Sequence, residues 1–286
     1  MNIHDPIPTL RQRLLNIESL LCEPSDTRDL LLYDETRKAQ LAHPNPLNAF
    51  GKKCFSQTDE DGITIEILRR IGCFDNGTYA EYGVGDGTEN NTLILAALGW
   101  RGFWVGGETL RPDINDGRGS NFQYAKEWIT LHNILDISSQ CLQRLEREAI
   151  DVISLDLDGN DIYFMRALLE VGHRPKLFIV EYNAKFPPPV EFEIAYDPKH
   201  VWQGDDYFGA SLASFVRDFH KFNYQLVCCN SHTGANAFFV DSAYANHFKD
   251  VPSDLDSIYV GPRYALYKKF GHPVSMKTIE RIFDLL

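Results

Sequence analysis

The chain has 286 residues, 44% of them hydrophobic and 12% aromatic, enough for a sizeable core in one large domain with an appendage. Its formal charge of −12 disfavours a general nucleic-acid binder, which needs clustered Lys and Arg to meet phosphate. No run of about 18 apolar residues predicts a membrane span, and the leading MNIHDPIPTLRQRLL lacks a secretory apolar core. The expectation is a cytoplasmic protein with neither nucleic-acid nor membrane partners.

Residues 1–50 read as a helical accessory segment. Leu10, Leu14, Leu15, Ile17, Leu20 and Leu21 recur at helical spacing, with Thr9 as a cap, and a second helix fits Asp29 to Leu41 before the turn-rich HPNPLN. Such a cap could cover a substrate or a second subunit, so a homodimer stays open. Residues 51–286 form the main domain. Ile63, Ile65, Ile67, Leu68 and Ile71 predict a helix stopped near Gly72. There follow a strand (TYAEYGV), a glycine loop, a helix (NNTLILAAL), a strand (GFWVGGE) and a short strand at Trp128–Leu131. A helix over Ile137–Glu148, a strand over Val152–Leu157, a helix over Ile162–Leu169 and a strand over Leu177–Tyr182 complete this part.

These strands are near-continuous apolar runs separated by helices, the pattern of strands buried on both faces, so the sheet is expected to be parallel. The end differs. After a helix over Ser211–Phe222, YQLVCCN and NAFFVD are joined by SHTGA, which predicts a hairpin and an antiparallel edge, and MKTIERIFDLL reads as a closing helix. The expected fold is α/β: a doubly wound sheet of five parallel strands plus a terminal antiparallel hairpin strand, with the helical cap in front. The six cysteines are scattered without a CxxC, and Cys228–Cys229 reads as strand filler.

The glycine loop, EYGVGDGTENNT, carries the chemistry. A phosphate-cradling loop needs a lysine, and none lies between Gly83 and Arg101. A dinucleotide loop places a third glycine where Thr88 stands, and Glu81, Asp86 and Glu89 repel a pyrophosphate. S-adenosylmethionine (SAM) has no phosphate and a cationic sulfonium, so acids near the loop attract it and glycines let the backbone come close. Glu108, at the end of the second strand, is placed to accept the ribose hydroxyls.

With these features in place, the chain resembles the FkbM-like group of SAM-dependent methyltransferases. The matching stretches run from about Cys54 to Asp241: SQTDEDG, EYGVGDGTENNT, GWRGFWVGGE, DVISLDLDGND, FIVEYNAKFPP, DDYFGASL and the hairpin ending NAFFVD. The order of strands is the program of class I methyltransferases, with a Rossmann-like sheet. The resemblance implies a SAM cofactor and a hydroxyl of a sugar or secondary metabolite as acceptor. It places Glu81, Gly83, Gly85 and Gly87 at SAM and Glu108 at the ribose. Gln57 with Glu60 or Asp61 would hold the methionyl ammonium, although Asp59 or Asp61 could equally cap the helix that follows.

Ligands of open α/β sheets sit beyond the carboxyl ends of the strands. There the fourth strand ends LDLDGND and the fifth VEYNAKF, so Asp156, Asp158, Glu181 and Asn183 are expected to converge. One reading makes Asp158 the general base for a hydroxyl, with Asp156 nearer the cofactor and Glu181 alongside. Another offers Asp156, Glu181 and Asn183 to Mg²⁺, although Tyr182 stands where related metal-dependent sugar methyltransferases carry a second acid. A third makes Asp158 and Asp161 turn and cap residues. The Pro- and aromatic-rich excursion after the fifth strand suggests an acceptor pocket with Asn183, Lys185 and Tyr207, joined by Asn230 and Asn236 of the hairpin. His200 and His232 are further candidates for a base. The rivals from other classes are a SAM-fold scaffold without activity and an NAD-dependent oxidoreductase.

Overall fold

In the computed structural model, residues 33–111, 121–263 and 271–285 are described; the helix expected at Leu10–Leu21 lies outside them. The apolar runs become strands buried end to end. β1 (Thr78–Tyr82), β4 (Val152–Leu155) and β5 (Leu177–Glu181) form the centre of a seven-stranded sheet in the order β3-β2-β1-β4-β5-β7-β6. β2 (Arg101–Gly106) and β3 (Phe122–Lys126) extend it in parallel on one side. On the other side β7 (Asn236–Asp241) runs antiparallel to β5, and β6 (Tyr224–Cys229) pairs with β7 as the outer strand. The α/β class, the parallel centre and the antiparallel terminal hairpin therefore match the expectation.

Because both sheet faces are apolar, helices cover both. α4 (Ile134–Arg144), α5 (Asp161–Glu170) and α6 (Leu212–Lys221) pack one face around Phe164, Leu168, Phe178 and Phe219. α2 (Glu60–Arg70), α3 (Leu93–Ala97) and the turn Pro46–Phe50 cover the other around Ile67, Leu95, Trp104 and Phe238. An α-helix over residues 33–42 (α1) precedes them, and α7 (Met276–Leu285) closes the described chain.

The third strand is Phe122–Lys126, not Trp128–Leu131. Apolar content misled there: Ile129 enters the core, but Trp128 is exposed and donates its indole N–H to Pro198 O at 2.7 Å, so that stretch is a loop leading into α4. Residues 33–50 lie against the free margin of the sheet. The side-chain amides of Asn45 and Asn48, both fully buried, donate to the β6 carbonyls of Val227 and Cys229 at 2.7 Å each. Among the described residues, Cys54, Cys73, Cys141, Cys228 and Cys229 are free thiols, and no helix is long and apolar enough to cross a membrane.

Candidate functional site

The site lies where β1, β4 and β5 end. β1 gives way to Gly83, whose N–H continues the ladder to Val105 O, and the chain turns through Gly83, Gly85 and Gly87, all at positive φ. A side chain on Gly83 would run into Asp156 O, whereas the space around Gly85 is open for 4 Å. The loop thus closes tightly on β4 below and leaves a cradle above, the shape a closely approaching ligand needs.

Glu81 holds that loop shut. Its buried carboxylate accepts from Asn91 N (2.9 Å), Thr92 N (3.0 Å) and Thr92 Oγ1 (2.5 Å), gathering the turn that leads into α3. Burial raises its pKa, and these donors oppose the rise. Glu81 therefore shapes the glycine loop through the turn into α3 and has both oxygens engaged within the protein. Asp86 turns outward to Arg111 at 2.8 Å. Glu108 is exposed just past the end of β2, where an acid can meet a ribose.

The SQTDED turn divides its acids. Asp61 is buried, and its Oδ2 gathers the N–H groups of Cys54, Phe55 and Ser56 at 2.7–2.8 Å. It also lines a groove of about 480 Å³ with Arg37, Lys52 and Ile94, and its Oδ2 serves the turn. Gln57 is exposed, with no bond to the rest of the site shown. Glu60 is the inward acid. It is fully buried and accepts from Thr58 N (2.8 Å), Asn230 Nδ2 (3.0 Å) and Asn236 Nδ2 (3.2 Å). This joins the start of α2 to the β6–β7 hairpin.

At the tips of β4 and β5 the carboxylates of Asp156, Asp158 and Glu181 each present an oxygen within 4.8 Å of the others. Asp158 adopts a left-handed backbone (φ +54), which Asp tolerates better than most residues, and this brings its side chain back beside Asp156. Crowding has the expected electrostatic result. Burial raises Asp156 and Glu181 well above the ordinary carboxylate range, and the neighbouring acids add to it. Asp158 reaches solvent at the mouth of the cleft; the desolvation of its inner side raises it, and His200 opposes that rise. Asp161, which accepts from Leu157 N and Gly159 N, is pushed by burial up to about 6.

Asn183 is a correction. Its amide N–H groups go to Asp206 O and Phe208 O, and its Oδ1 accepts from Lys185 N, so it ties down the excursion and does not join the carboxylates. Lys185 is likewise committed, to Asp206 Oδ2 at 2.6 Å and His272 O at 2.9 Å. Tyr207 is half-buried, with its ring 6.0 Å from that of His200. His200, expected at the acceptor pocket or as a base, lies beside the DLDGND turn. Its ring lies flat enough against Gly159 that a Cβ there would collide with it, and only the glycine of DLDGND hints at this.

No protein-family model matches the chain, and no curated protein matches it. Solved structures with a similar course of chain include the glycopeptide N-methyltransferase MtfA complexed with S-adenosyl-L-methionine (14% identity, 65% of this chain and 95% of that one, TM-score 0.37). The fibrillarin/Nop5p complex (13%, 57% and 71%, TM-score 0.37) and the mitomycin 7-O-methyltransferase MmcR (13%, 74% and 60%, TM-score 0.29) are others.

Proposed function

We propose that this chain is a SAM-dependent methyltransferase of the FkbM-like group that methylates a hydroxyl of a small molecule. The observation that carries the reading is the cradle at β1: Gly85 is open where Gly83 is closed, and Glu108 stands free at the tip of β2. Among the described residues the loop holds no lysine for a phosphate, and its acids suit a cationic ligand. SAM, when bound, supplies an electrophilic methyl group on a sulfonium. Glu60 would stand nearest its methionyl ammonium, and Glu108 its ribose. Positioning then supplies much of the rate.

Asp158 takes the acceptor's proton. It is the most exposed of the three carboxylates, and desolvation makes it a stronger base than a free aspartate. A second reading rests on the same three carboxylates: Asp156, Asp158 and Glu181 together fit the hard oxygen set of Mg²⁺, which would acidify a bound hydroxyl. Calorimetric titration with SAM and with NAD tests the proposal. Saturable binding of SAM and none of NAD is expected; the reverse result, or no SAM binding at millimolar concentration, refutes it.

A further inference from the structure

The carboxylates at the tips of β4 and β5 form no ion pair among the described residues, and His200, which faces Asp158, is pushed by burial toward its neutral form. Among the described residues, none of the ion pairs involves Asp156, Asp158, Glu181 or Glu60. Lys185, four residues past the end of the strand that bears Glu181, is already spent on Asp206. Two buried atoms here also lack partners: Glu181 Oε2 and Asn236 Oδ1. Asn236 is 2% exposed and stands directly across β5–β7 from Glu181, so the two side chains share a face. Its Nδ2 is turned to Glu60, and its carbonyl oxygen is left without a partner. Both unfilled atoms are acceptors, so whatever fills the place must bring several N–H or O–H donors.

SAM's net charge is one positive unit, from sulfonium and ammonium against its own carboxylate. That single charge does not match Asp156, Asp158 and Glu181 once all three are ionised, and without a further cation burial and crowding push Asp156 and Glu181 toward their protonated forms. A neutral hydroxyl acceptor adds one donor and no charge, and a phosphate-bearing one adds repulsion.

We propose that the acceptor carries a protonated amine beside the hydroxyl that is methylated, as an amino sugar or other amino alcohol does, and that Glu181 and Asn236 hold its ammonium. This rests on the methyltransferase reading and deepens it. The ammonium donates to Glu181 Oε2 and Asn236 Oδ1 and stays protonated throughout. The neighbouring hydroxyl oxygen attacks the methyl carbon, the carbon–sulfur bond breaks with its electron pair going to sulfur to leave S-adenosylhomocysteine (SAH), and the hydroxyl proton passes to Asp158. The amine thereby also fixes which hydroxyl faces the methyl group.

The test is calorimetry on the full chain saturated with SAH, in EDTA, using two matched probe pairs: glucosamine against glucose, and 2-aminoethanol against ethylene glycol. The amine of at least one pair should bind about tenfold tighter than its neutral partner, the worth of one charge-assisted hydrogen bond. Glu181→Gln should erase that preference while leaving SAH affinity unchanged. No preference in either pair, or a preference that survives Glu181→Gln, overturns the proposal. Glucose binding that appears only with added MgCl2 overturns it as well, by giving the carboxylates to a metal. Failure of SAH itself to bind is a different result, since it removes the methyltransferase reading along with this one. The wild-type comparison stands even if the variant does not fold.

Discussion

A Cβ built on Gly83 would stand 1.8 Å from the backbone oxygen of Asp156, so the tips of β1 and β4 meet at a separation that only glycine permits. At Gly85, two residues on, the same added carbon meets nothing within 4 Å. The two glycines of one motif therefore serve different ends, one the fold and the other the ligand. Gly83→Ala should cost about 3 kcal/mol of stability from overlap with backbone that cannot move aside. Gly85→Val should cost only about 1–2 kcal/mol for its left-handed backbone yet abolish SAM binding. Thermal melts and SAM titration of the two variants separate these effects; equal losses of both properties in both variants would contradict the division.

Asp158→Asn removes a proton acceptor and leaves the cradle at β1 untouched. Turnover should fall by about 10²–10⁴-fold with SAM affinity unchanged. Stopped-assay methyl transfer, paired with calorimetry, checks the split. A variant that keeps its turnover sets Asp158 aside as base.

Stability should rise as the solution is made mildly acidic. Asp161 titrates near 6 in the folded protein, and Asp156, Glu181 and Glu60 are also raised by burial. These carboxyls hold more protons in the folded chain than in the unfolded one above pH 4, so lowering the pH from 7 to about 5 favours folding through them, while His43, His173 and His200, lowered by burial, oppose it and set a smaller net slope. Asp218 is held low by its arginine and lysine partners and acts in the opposite sense, but only below the ordinary aspartate range. Melting curves across this window, without metal or SAM, should show the midpoint climbing as pH falls, and a saturating cation at the cleft should flatten the trend.

Lys185 and Asp206 anchor the excursion after β5. Asp206 is 1% exposed and also accepts from Ser275 N and Thr278 Oγ1, which pins α7 to the same point. Lys185→Met strips the charge partner from a buried carboxylate and should destabilise the fold by about 3 kcal/mol, at the low end for such pairs because the lysine is part-exposed. Denaturant unfolding measures it. A loss below about 0.5 kcal/mol would mean the pair behaves as a surface one.

Much of the fold was legible because strands buried on both faces write themselves as unbroken apolar runs, as in VISL and LFIV. The hairpin was legible from two such runs with a short glycine-bearing link. β3 was not: FQYAK sits at the sheet margin and is only part-buried, so it lacks the signature, while the more apolar WITL is a loop. The carboxylate convergence of Asp156, Asp158 and Glu181 could be read from their places at strand ends. The commitments of Asn183, Lys185 and Asp61 could not, since each is decided by a backbone group or carboxylate brought in by folding. Glu81 lay between: its spacing to Asn91 and Thr92 is visible in the sequence, but only the turn of the loop shows that the acid faces inward.

The amides of Asn45 and Asn48 occupy carbonyls that an outermost strand otherwise offers to any passing chain. A fragment trimmed to begin at residue 51 would lose both plugs along with Leu47. Its sheet would then carry a bare, recruiting border, and such a fragment should associate edge to edge and precipitate where the longer chain stays dispersed. That outcome, read by light scattering, would make the stretch ahead of the sheet a stopper against self-assembly.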